Sequence, residues 1–67
     1  MTDLEILTEQ ANKLAAIVGG KVLKVSEKYA AISRPESTEI CLDGPRQAGW
    51  KEKNEKTLTE QAAAYRR

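Results

Sequence analysis

The chain has 67 residues, with 11 Lys and Arg against 10 Asp and Glu, a formal charge of +1. That length gives one small domain with a modest core, and the even charge leaves no global nucleic-acid footprint. With no histidine and one cysteine, histidine acid–base catalysis, histidine metal ligation, an intramolecular disulfide and multi-cysteine metal sites are excluded.

The first element is a helix over 2–18. Thr2 has the chemistry of an N-cap and Glu5, three positions on, closes a reciprocal capping box, while Asp3 and Glu5 place negative charge at the positive end of the helix dipole. Leu4, Leu7, Ala11, Leu14, Ala15 and Val18 recur at helical spacing and form one apolar stripe. Gly19 and Gly20 stop the helix, because glycine tolerates the left-handed position that ends one. Ile6 and Ile17 fall outside the stripe, on a flank with Gln10 and Lys13. That flank is either the margin of a wide core face wrapped by the same chain or a surface that packs on a second copy, and the second alternative implies a homodimer.

Three short strands follow. Lys21 to Ser26 alternates with Leu23 and Val25 as the inward pair, and Ser26-Glu27-Lys28 is a short polar link. Tyr29 to Ser33 has Ala30 and Ile32 on one face and Tyr29 and Ala31 on the other. Arg34-Pro35-Glu36-Ser37 is a turn in which Pro35 presets φ. Thr38 to Asp43 places Ile40 and Leu42 inward and Glu39, Cys41 and Asp43 outward, and Asp43-Gly44-Pro45 ends it. The expected fold is therefore α+β, in the order α-β-β-β-α, with the first helix on an antiparallel meander.

Periodicity vanishes from residue 44 to residue 56, which reads as an irregular or mobile segment anchored by Trp50. It returns at Thr57, where Thr57 and Glu60 repeat the capping-box spacing and Leu58, Ala62 and Tyr65 share one side of a short helix closing one end of the fold. The pentad Leu7-Thr8-Glu9-Gln10-Ala11 recurs as Leu58-Thr59-Glu60-Gln61-Ala62, but the flanking residues share nothing, so the repeat reads as two helices meeting similar demands.

Catalytic chemistry is not evident. Ser26, Ser33 and Ser37 have no histidine as base, Cys41 has no activating partner, and Gly19-Gly20 follows a helix and precedes a strand, the reverse of a phosphate-binding loop. The expectation is a non-enzymatic domain without cofactor or metal. No apolar run approaches the roughly 18–20 residues that cross a bilayer, and no signal peptide is visible, so a soluble, cytoplasmic protein is expected.

Recognition is the remaining chemistry, and two surfaces offer it. One is the flank carrying Ile6 and Ile17. The other is basic: Arg46, Lys51, Lys53, Lys56, Arg66 and Arg67 crowd the C-terminal third around Trp50 and Tyr65, a mixture that can neutralise phosphates and stack on bases, although Glu52, Glu55 and Glu60 dilute it. Lys51, Lys53 and Lys56 ahead of Ala62-Ala63-Ala64, in a chain ordered α-β-β-β-α, resemble the double-stranded-RNA-binding domain family. That resemblance implies duplex binding through the second helix. The chain departs from the family pattern in lacking a glycine-spaced entry to clustered lysines and a histidine in the first hairpin link. The favoured expectation is a protein-binding homodimer, resembling the small accessory and inhibitor proteins of bacteriophages and mobile elements, with nucleic-acid binding as the alternative.

Overall fold

The computed structural model describes residues 2–65. It contains α1 (Asp3–Val18), β1 (Lys21–Val25), β2 (Tyr29–Ser33), β3 (Glu39–Asp43) and α2 (Trp50–Ala64), an α+β fold in the expected order. The strands form an antiparallel sheet in the order β1-β2-β3. Both helices pack on one face of it, α1 across all three strands and α2 beside α1 over β3. The opposite face carries no helix.

Both ends of α1 follow from local chemistry. Thr2 Oγ1 accepts the Glu5 amide while the Glu5 carboxylate reaches back to the Thr2 backbone, completing the capping box. Gly19 takes φ 70° and its amide bonds the Ala15 carbonyl, satisfying one of the carbonyls that a helix end leaves free. Leu7, Ala11, Leu14 and Val18 are buried against Ala30, Ile32 and Leu42. Leu4, expected in the same stripe, is 44% exposed, because it lies in the first turn at the margin of the sheet's cover.

The first strand departs from simple alternation. Val22 pairs with Ile32 and Lys24 with Ala31, so Leu23 and Lys24 together oppose Ala31 in a β-bulge. The extra residue shifts the inward set. Val22 and Val25 pack against the core, and Leu23, expected inward with Val25, is turned out to 52% exposure. In the second turn Ser37 donates its amide to the Arg34 carbonyl and adopts φ 65°. A tight approach follows β3: a Cβ on Gly44 would stand 2.1 Å from the Glu27 carbonyl oxygen, so glycine lets the β1–β2 link close against this position.

The segment expected to be irregular over 44–56 is largely helical. Only residues 44–49 form turns, and α2 begins at Trp50 and runs 15 residues. Thr57 is interior and caps nothing; its hydroxyl donates to the Lys53 carbonyl four residues back. Nor does α2 close one end of the fold, since it lies alongside α1. The start of α2 has no side-chain cap: its N-cap is Gly49 at φ 70°.

Asn54 holds α2 in place. It is 1% exposed, and its amide is used in full. Asn54 Oδ1 accepts the Asp43 N–H at 2.9 Å, and Asn54 Nδ2 donates to the Asp43 carbonyl at 2.8 Å and to Gln10 Oε1 at 2.9 Å. The bonds from Arg34 N–H to the Thr38 carbonyl and from Gly44 N–H to the Lys28 carbonyl fix which β3 residues face β2. Asp43, opposite Tyr29 between them, points its backbone groups to the free edge. Asn54 therefore caps a sheet edge and ties three elements together. Asn54→Ala is expected to lower the unfolding free energy by about 2–3 kcal/mol, since it leaves buried Asp43 groups unpaired. Asn54→Asp keeps the shape but removes both donors, and should cost at least as much. Urea denaturation checks both; a loss below about 0.5 kcal/mol would contradict this role.

Candidate functional site

Three surfaces are open to a partner: the basic start of α2, the α1 flank and the uncovered sheet face. The basic residues do not gather into one positive patch. Arg46 Nε lies 3.3 Å from Asp3 Oδ2 and its Nη2 3.2 Å from Glu27 Oε2, bridging the start of α1 to the β1–β2 link. Lys53 Nζ is 3.0 Å from Asp43 Oδ2, and Lys56 Nζ is 4.0 Å from Glu60 Oε1. Lys51 instead lies over the Trp50 ring, 5.7 Å from its centroid, and Trp50 is half-buried. Each such exposed pair adds little stability, about 0–1 kcal/mol, but each offsets the positive field that a phosphate backbone would meet. Lys51 and Lys53 also diverge by roughly 200° around the helix axis, so the three α2 lysines do not share a face. Arg66 and Arg67 lie outside the described residues.

The α1 flank turns toward α2. Gln10 is bonded to Asn54, and Ile17 packs against the core while lining a cleft with Thr59, Ala62 and Ala63. Ile6 is half-buried on the same line of the helix. α2 thus lies alongside this flank, where Ile6 and Ile17 are both half-buried and an open cleft separates Ile17 from Ala62 and Ala63.

The sheet face away from the helices is different. Ala31 and Cys41 are paired at its centre, with Lys24 paired to Ala31 on the other side and Tyr29 opposite Asp43. The bulge adds Leu23 to this face. Leu23 is 52% and Tyr29 38% exposed, and Cys41 is exposed between charged margins. Lys24 Nζ stands 5.4 Å from the centroid of the Tyr29 ring. Leu23, Tyr29 and Cys41 thus expose apolar surface on this face, around an Ala31 that is 9% exposed. Alternation places Tyr29, Ala31 and Cys41 outward; the sequence reading did not single them out as a surface, and Leu23 is brought there only by the bulge.

No protein family, curated protein or solved structure matches this chain. No helix among the described residues is long and apolar enough to cross a membrane.

One further contact fixes the far end of α2. The Tyr65 hydroxyl donates to Glu36 Oε1, joining the helix C-terminus to the β2–β3 turn. That bond holds the Glu36 carboxyl below the usual glutamate range, helped by its own backbone amide and by Arg34, and raises the Tyr65 phenol above the usual tyrosine range. The depressed Glu36 value makes the contact stabilising above the unfolded-state range and lost as pH falls through the folded value. The raised Tyr65 value makes it stabilising below the ordinary phenol range and lost as pH rises through the folded value. Tyr65→Phe should move the Glu36 titration upward, followed by the NMR shift of its carboxyl carbon; an unchanged titration would contradict the bond.

Proposed function

We propose that this chain is a non-catalytic protein-binding module of the accessory or inhibitor type, and that it meets its partner through the uncovered face of the sheet. The observation that carries this reading is the outward placement of Leu23 beside Tyr29, Ala31 and Cys41. A core-sized aliphatic side chain held in water loses about 1.5–3 kcal/mol relative to full burial, and a protein partner returns that energy where a polyanion does not. An antiparallel sheet with one face on its own core and one face free is suited to such contact. The ion pairs of Arg46, Lys53 and Lys56 weigh against the alternative of duplex recognition through α2.

Affinity capture from a lysate of the source organism separates the two readings. A protein retained by wild type should be lost with Leu23→Asp and kept with Lys51→Ala/Lys56→Ala, a variant that leaves the Lys53–Asp43 pair intact. Capture indifferent to Leu23→Asp would contradict the sheet-face reading. So would duplex RNA or DNA binding that weakens with salt and with the lysine substitutions.

A further inference from the structure

The charges around the open sheet face are segregated by strand. On the β1 side stand Lys21 and Lys24; on the β3 side stands Glu39, while Asp43 at the far end of β3 is paired with Lys53 of α2. Lys21, Ser33 and Glu39 share one level of the sheet, and Lys24, Ala31 and Cys41 share the next. Lys21, Lys24 and Glu39 make no ion pair among the described residues, unlike Arg46, Lys53 and Lys56. We infer that the occupant of this face is a second copy of the same chain, packed sheet against sheet about a two-fold axis running along β2. The inference rests on the reading of this face as the binding surface, and names its partner.

The charge pattern selects that axis. A two-fold along β2 carries β1 of one copy over β3 of the other at the same level, so Lys21 meets Glu39 of the second copy, twice by symmetry. Lys24 reaches the level of Cys41, two residues along β3 from Glu39. A two-fold across the strands would instead set β1 over β1 and β3 over β3, lysine against lysine and acid against acid, which is unfavourable. Leu23, on β1, is carried over Ala31 and Cys41 of the second copy, the least polar part of the face. The separation of facing sheets, about 10 Å, is one that Lys and Glu side chains span together.

Edge-to-edge association is closed off. Antiparallel pairing of β3 with a second β3 about Cys41 would place Glu39 directly opposite Asp43 of the other copy, and Asn54 already occupies the backbone groups of Asp43. At the other edge the Leu23 bulge disrupts the regular ladder of β1. The face is left as the route to a closed, self-complementary pair. It is also small: three five-residue strands give a footprint of about 15 by 17 Å, well short of the roughly 800 Å² per partner of a standard interface. Charge alignment more than area then sets the pairing, and the dimer is weak and salt-sensitive.

Sedimentation equilibrium over roughly 10 μM to 1 mM tests this at low and high salt. Wild type should dimerise, and Lys21→Glu or Glu39→Lys alone should each weaken the dimer about tenfold or more. Mixing those two variants in equal amounts should restore dimerisation, as should Lys21→Glu/Glu39→Lys in one chain. Circular dichroism confirms that each variant is folded, and Lys24→Glu provides a second reversal at an exposed position. A wild type monomeric at roughly 1 mM, or a dimer unchanged by single reversals and not rescued by mixing, would overturn the inference. If such a monomer still captures a protein in a manner abolished by Leu23→Asp, the binding face stands and only its partner is misassigned; if that capture is also insensitive to Leu23→Asp, both fail.

Discussion

Asp43 ends an edge strand with its N–H and C=O turned away from the sheet, where no fourth strand among the described residues receives them. Asn54 receives both with one planar amide and gives its remaining hydrogen to Gln10 on α1. Buried polar groups cost free energy unless paired, so this arrangement fixes the axial position and rotation of α2 together. Once Asn54 is placed, Leu58 and Tyr65 pack against the core. Few large side chains share this work. Among the described residues the large apolar side chains that are fully buried are Leu7, Leu14, Ile32 and Leu42. In so small a core a fully satisfied polar bracket specifies the docking of a helix that apolar contact alone would leave loosely defined.

Because α2 settles beside α1, both helices lie on one side of a three-stranded sheet, and the other side stays in water. The distribution of residues is consistent with that division. Arg46, Lys53 and Lys56 are paired with carboxylates within the molecule, and the edges of the sheet are blunted, β1 by a bulge and β3 by Asn54 and acidic side chains. The face keeps its apolar centre and its unpaired charges.

Much of this was legible in the residues themselves. The capping box at Thr2 and Glu5, the left-handed stop at Gly19, the turn at Pro35 and the alternation in β2 and β3 are local signals, and each acts in the folded chain as the local chemistry dictates. The bulge was not legible, because Leu23 and Val25 alternate as well as Val22 and Val25 do not; only pairing with β2 decides between them. The start of α2 was hidden for a different reason. Its inward line runs Trp50, Asn54, Leu58, Gln61 and Tyr65, a helical spacing whose second and fourth members read as polar. A pattern search that scores only apolar residues begins the helix about two turns late. The ion pairs joining Arg46 to Asp3 and Glu27 are equally invisible, since they cross up to 43 positions of sequence. The repeated pentad makes the same point: Leu7 and Ala11 are buried, whereas Leu58 is half-buried and Ala62 exposed, so identical letters serve different surroundings.

Amide hydrogen exchange at β3 tests the Asn54 bracket most directly. Asp43 and Cys41 both turn their N–H groups to the free edge, but only Asp43 has the Asn54 oxygen as acceptor. The Asp43 amide should be protected to the same degree as the amides of β2, and the Cys41 amide should exchange much faster. An Asp43 amide that exchanges as fast as that of Cys41 would contradict the bracket, and with it the placement of α2 that leaves the opposite face of the sheet free.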